Sequence, residues 1–131
     1  MYKLGISIYN KQSIKKEGSL DLQNKIKKDI SDNKVMLYMK GTKEMPMCRF
    51  SSTVVNILNM HNVDYKTTNV LEDNNIRHEL SKVSNWPTIP QLYVKGEFLG
   101  GCDIIREMYE SGELIEYLNT NGIDVQLTNP T

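Results

Sequence analysis

Five consecutive apolar residues, Val35-Met36-Leu37-Tyr38-Met39, stand between Lys34 and Lys40-Gly41. A strand turns successive side chains to opposite faces, so an unbroken apolar run needs burial on both sides. A sheet covered by helices on each face provides that burial. The run therefore predicts a central strand with a parallel neighbour. The 131 residues suffice for one domain built around it.

The flanking sequence predicts the covering helices. Leu22, Ile26 and Ile30 recur at helical spacing with lysines between them, and Asn33 ends the pattern. Gly41 to Met47 reads as a loop containing Pro46, with Met45 and Met47 in it. Beyond Cys48, the residues Val54, Ile57 and Leu58 make a second stripe that stops at His61-Asn62. Val63 to Val70 reads as a second strand, and residues 72–85 as a third helix with Ile76, Leu80 and Val83 on one face.

Pro90 opens a strand from Gln91 to Val94, and Lys95-Gly96-Glu97 turns it back into Phe98-Leu99. Gly100-Gly101 breaks the hairpin, and a last helical region runs from Asp103 through Leu118, interrupted near Ser111-Gly112. This order predicts an α/β fold: a four-stranded mixed sheet flanked by helices, its first two strands parallel through a right-handed crossover. The predicted domain covers residues 21–120. Residues 1–20 read as an extension or trimmed leader, rich in Lys but without Arg, and residues 121–131 as a loose tail.

Composition narrows the function. Sixteen basic and sixteen acidic side chains cancel, which argues against a nucleic-acid groove. No apolar run approaches the ~20 residues of a membrane span, and no secretory core follows Met1. Two cysteines, Cys48 and Cys102, do not make a disulfide framework, and with His61 and His78 they lack zinc-ligand spacing. A reducing, intracellular setting with at least one thiol kept for chemistry is expected. Cys102 reads equally as a small buried residue. Ligands of open α/β sheets gather at the carboxyl ends of the strands. Three loops meet there: those carrying Cys48, Pro90 and Gly101-Cys102-Asp103.

The segments MLYMKGTKEMPMCRFS, SNWPTIPQLYVKGEFLGGCDII and MYESGEL together resemble a monothiol glutaredoxin of the thioredoxin fold. The likeness covers roughly residues 21–120. One departure stands out: the family's active-site tetrad is C-G-F-S, and this chain has Arg49 where that glycine belongs.

The resemblance implies roles for particular residues. Cys48, at the mouth of its helix, is the reactive thiol, and free backbone N–H groups there favour its thiolate. Lys40 and Arg77 would hold the glycyl carboxylate of glutathione. Ile89, before an expected cis Pro90, would pair its backbone with the cysteinyl part. The N–H groups of Cys102 and Asp103 would take the γ-glutamyl carboxylate, and the Asp103 side chain the ammonium. Bland alternatives stand beside these: Arg77 as an exposed helix charge, Pro90 as a trans strand opener, Asp103 as a helix cap. Phe50 and Trp86 are core residues, or Phe50 covers the sulfur. Tyr38, Tyr65, Tyr93, Tyr109 and Tyr117 read as packing.

For function the resemblance implies a carrier. A [2Fe–2S] cluster takes four thiolates. Cys48 and one glutathione sulfur from each of two chains supply them, giving a glutathione-bridged homodimer that passes the cluster to apo iron–sulfur clients. The alternative is an enzyme that removes glutathione from mixed disulfides through Cys48, an activity expected to be weak for this loop. The compartment is mitochondrial or another organelle if residues 1–20 are a leader, and otherwise cytoplasmic.

Overall fold

The computed structural model describes residues 18–126. Residues 18–32 form helix α1. There follow β1 (Val35–Met39), α2 (Arg49–Met60), β2 (Lys66–Asn69), α3 (Asn74–Ser84), β3 (Gln91–Val94), β4 (Glu97–Gly100), α4 (Cys102–Ser111) and α5 (Glu113–Thr120). The strands lie in the order β2-β1-β3-β4. β1 runs parallel to β2 and antiparallel to β3, and β3 and β4 form an antiparallel hairpin.

Every residue of β1 is at most 2% exposed. Val35, Leu37 and Met39 face one layer, with Val54, Leu58, Ile105, Leu114 and Leu118 of α2, α4 and α5. Met36 and Tyr38 face the other, with Ile26 and Ile30 of α1 and Leu80 of α3. The two-sided burial that the apolar run demanded is thus supplied by helices on both faces. Each fully buried side chain of this size contributes about 1.5–3 kcal/mol, so β1 anchors both layers.

The second strand is shorter than its sequence suggests, starting at Lys66 rather than Val63. It is the sheet edge, and its Lys-Thr-Thr-Asn sequence is partly exposed. Val63 and Tyr65 are buried ahead of the strand, in the chain leading from α2. Residues 121–126, expected to be loose, pack instead. Ile123 is buried, Gln126 N–H donates to His61 O at 2.8 Å, and Asn62 Nδ2 donates to Gln126 O at 2.9 Å. Ile123, Val125 and Leu127 alternate with Asp124 and Gln126, a short apolar pattern that the polar composition of the tail masks, and Val125 packs beside Ile123 on the core. Residues 1–17 and 127–131, which hold most of the predicted extension and the end of the tail, lie outside the described residues.

α1 is tied to α3 by a buried carboxylate. Glu79 accepts from Ser19 Oγ at 2.9 Å and from Gln23 Nε2 at 2.6 Å, and Lys82 Nζ stands 3.5 Å away. Since α3 also carries Arg77, this cluster fixes the helix that forms one wall of the site.

Candidate active site

Cys48 is the N-cap of α2, extended at φ −152° and ψ 136°. Its side chain is thus aimed at the unsatisfied N–H groups of the first turn. The N–H of Ser51 foremost, then that of Phe50, the charge of Lys40 and the Ser51 hydroxyl together hold the Cys48 thiol below its ordinary range, against a smaller opposing effect of burial. Arg49 is not among these causes. Its side chain is exposed and its guanidinium lies over the Phe50 ring, 5.6 Å from the centroid, with no ion pair among the described residues.

The loop before Cys48 is folded on itself. Thr42 and Met45 exchange backbone hydrogen bonds of 3.1 and 3.2 Å, and Met47 N–H donates to Lys40 O at 2.9 Å. Gly41 sits at φ +91°, where a Cβ would meet Met45 O and Met47 N at 2.5 Å, so only glycine fits. Asn69 Oδ1 accepts from the N–H groups of Gly41 and Leu71, both at 2.9 Å, and ties the loop to the end of β2. Lys43 Nζ donates to Tyr65 O and lies 4.0 Å over the Tyr65 ring.

This folding frees Ile89. The β1–β3 ladder ends at Tyr38–Gln91, and the next hydrogen-bonded pair in register would be Lys40 with Ile89. Lys40 N–H donates instead to Ser51 Oγ at 3.1 Å, and Lys40 O accepts from Met47. Among the described residues, no backbone hydrogen bond then uses Ile89, whose N–H and C=O remain available to an extended ligand. The Ile89–Pro90 bond is cis.

Gly101 caps α4, and a Cβ there would lie 3.1 Å from Pro90 O, so glycine lets the two loops close on each other. The cap is Gly101 rather than Asp103, which stands in the first turn. The Asp103 side chain is 80% exposed and pairs with Arg106 at 3.6 Å. Cys102 is buried, and burial foremost pushes its thiol up.

The three loops enclose a cavity of about 400 Å³. Lys40, Cys48, Phe50, Arg77, Ile89, Pro90, Cys102 and Asp103, named from the sequence, all line it. Trp86, Thr88, Gly101 and Ile104 complete the wall. Thr88 and Ile104 carry no chemical signal in the sequence, and only the folded loops bring them in. Phe50 and Trp86 are 47% and 46% exposed, so neither is core. Of the tyrosines, Tyr38, Tyr65 and Tyr93 are buried and Tyr109 is exposed. A larger cavity of about 550 Å³ lies at the opposite end of the sheet, beside Lys34, Asp64, Lys66 and Asp124. It contains no thiol, so the chemistry is assigned to the smaller one.

A mixed four-stranded sheet with one activated thiol at a helix mouth, beside a proline loop, defines a thiol protein of the thioredoxin fold. The family model for glutaredoxin matches residues 35–99. The chain is 57% identical over 97 residues to "Probable monothiol glutaredoxin 2" of Rickettsia typhi, covering 74% of this chain and 84% of the relative. It is 50% identical over 107 residues to "Glutaredoxin-related protein 5, mitochondrial" of Danio rerio, covering 81% and 66%. The solution structure of reduced poplar apo GrxS14 superposes with a TM-score of 0.68 at 48% identity, covering 76% of this chain and 92% of that one. The chain belongs to the glutaredoxin family, and relatives such as that of Rickettsia typhi are named as monothiol members. Among the described residues, no helix is long and apolar enough to cross a membrane.

Proposed function

We propose that the protein binds glutathione in the cavity around Cys48 and, as a glutathione-bridged homodimer, carries a [2Fe–2S] cluster to apo iron–sulfur proteins. One observation carries the reading. The activated Cys48 has no second cysteine in its loop, and the buried Ser51 occupies the place where a dithiol partner would stand. Among the described residues, no group of three His, Cys, Asp or Glu side chains is placed to hold a metal. A four-thiolate cargo therefore needs ligands from outside the chain. A second Cys48 and two glutathione sulfurs would complete the four.

The groove suits glutathione at three points. Lys40 and Arg77 offer cations to its glycyl carboxylate. The unused backbone of Ile89 offers strand-like pairing to its cysteinyl part. The N-terminus of α4 offers N–H groups to its γ-glutamyl carboxylate, with Asp103 beside them for the ammonium. Two of the four cluster ligands would then be exchangeable small molecules, which suits release to a client. The setting is a reducing compartment, and the relative named as mitochondrial supports an organelle.

A second reading is thiol–disulfide exchange, favoured by the lowered Cys48 thiol. The thiolate attacks the glutathione sulfur of a mixed disulfide and releases the substrate thiolate. A second glutathione thiolate then attacks Cys48–S–SG, yielding oxidised glutathione and free Cys48. Anaerobic addition of iron, sulfide and glutathione, read by visible absorbance and gel filtration, separates the readings. A coloured dimer in the wild type and in Cys102→Ser, absent in Cys48→Ser, is expected. A colourless monomer that turns over a small mixed disulfide rapidly would favour the enzyme.

A further inference from the structure

The loop that displays Ile89, residues 85–90, has no regular secondary structure between α3 and β3. One side chain holds most of its shape. Gln91, the first residue of β3, is 0% exposed. Its Nε2 donates to Trp86 O at 2.9 Å and to Thr88 O at 3.1 Å, while its Oε1 accepts from Tyr93 Oη–H at 2.8 Å. Both amide hydrogens are therefore used, the two carbonyls decide which way round the amide sits, and the Tyr93 hydroxyl donates to the oxygen that remains. A flipped amide would set an oxygen against two carbonyl oxygens. From the helix side, Ser84 Oγ accepts from Trp86 N–H at 3.1 Å. The loop is thus pinned by side chains that are absent from the cavity wall, while Trp86, Thr88 and Ile89 form part of that wall.

We propose that Gln91, its amide oxygen held by Tyr93, is a positioning residue that sets the Ile89 backbone and so tunes the affinity of the groove for glutathione. A site that recognises an extended ligand through one N–H and one C=O depends on where those two groups point. Gln91 is the buried group that reads both carbonyls just upstream of Ile89. The proposal rests on the reading of the cavity as a glutathione site.

Two variants test it. Gln91→Glu replaces a donor by an acceptor-only carboxylate facing two carbonyls. Tyr93→Phe removes only the hydroxyl and keeps the ring, whose contact with Phe98 (centroids 5.3 Å apart) is a packing feature. Titration calorimetry on the reduced, folded proteins should show glutathione binding weakened about tenfold in Gln91→Glu and about threefold in Tyr93→Phe. Alkylation of Cys48 by neutral iodoacetamide should be unchanged, because the thiol is held from α2. Amide hydrogen exchange over residues 86–90 should quicken in Tyr93→Phe. Wild-type affinity in both variants, or in Tyr93→Phe alone if Gln91→Glu does not fold, would overturn the proposal, as would unchanged exchange of the loop. A wild-type protein with no glutathione affinity would defeat the glutathione reading. The exchange measurement would then still decide the brace.

Discussion

Lys40 N–H donates to the buried hydroxyl of Ser51 at 3.1 Å, joining the end of β1 to the first turn of α2. That bond takes the Lys40 N–H out of the β1–β3 ladder and leaves the Ile89 C=O free, while Met47 N–H on Lys40 O leaves the Ile89 N–H free. The backbone N–H of Ser51 is the foremost cause that lowers the Cys48 thiol, and the Ser51 hydroxyl adds a smaller effect in the same direction. Ser51 thus links the strand end to the thiol, through its side chain on one and chiefly its backbone on the other.

Ser51→Ala leaves a buried N–H without its acceptor. The expected loss of stability is about 1–2 kcal/mol, read as a lower denaturant midpoint at unchanged slope. The alkylation profile of Cys48 should move to higher pH in the same variant. A midpoint equal to wild type would mean that water takes the place of the hydroxyl.

The two thiols should separate by pH. Alkylation requires the thiolate, so a lowered pKa keeps a thiol reactive to lower pH, and a raised one delays reaction. Cys48 is lowered by the Ser51 N–H and its neighbours, whereas Cys102 is raised by burial. Mass spectrometry after brief iodoacetamide pulses across a pH series should show Cys48 modified first, with Cys102 following at higher pH. Coincident profiles would contradict the assignment.

Glu79 should give the fold an acid-sensitive edge. Gln23 first, then Ser19, holds its carboxyl below the usual carboxylate range. The folded state then binds its proton less readily than the unfolded chain, and stability rises with pH through that window. The contribution is complete above the unfolded value of about 4.3 and is lost as pH falls through the folded one. Thermal melts of Glu79→Gln should show a flatter acid limb than wild type. Parallel limbs would show that the α1–α3 contact titrates elsewhere.

Arg49 bears on the proposed dimer. Two Cys48 thiolates sharing one cluster bring two exposed Arg49 side chains into proximity, and their like charges oppose pairing. Arg49→Gly should lengthen the half-life of the cluster colour. Added salt should help wild type more than the variant, because it screens exposed charges. Equal half-lives with equal salt response would make Arg49 a neutral surface residue.

Much of this was legible in the sequence. The unbroken run of β1, too short for a buried helix and bounded by Lys40-Gly41, pointed to a strand in a sheet covered on both faces. Helical stripes located α1, α2 and α3, the Gly100-Gly101 break marked the start of the α4–α5 region, and the long motifs around Cys48, Pro90 and Cys102 located the cavity. Local pattern carries these features because each depends on a residue and its near neighbours.

Tertiary structure alone decided the rest. The sequence read a strand from Val63, but that stretch enters the core before pairing begins, and an edge strand is only as long as its partner allows. Ile123 lies in a tail expected to be loose, yet its N–H donates to Leu118 O of α5 and Gln126 bonds to His61 and Asn62 just beyond α2. Thr88 and Ile104 join the cavity only because two distant loops close around Gly101. Gln91 looked like the polar start of a strand, and its bonds to Trp86, Thr88 and Tyr93 exist only in the folded chain. A periodic pattern records which face of an element is buried; which group each buried polar atom meets depends on residues brought together from elsewhere in the chain.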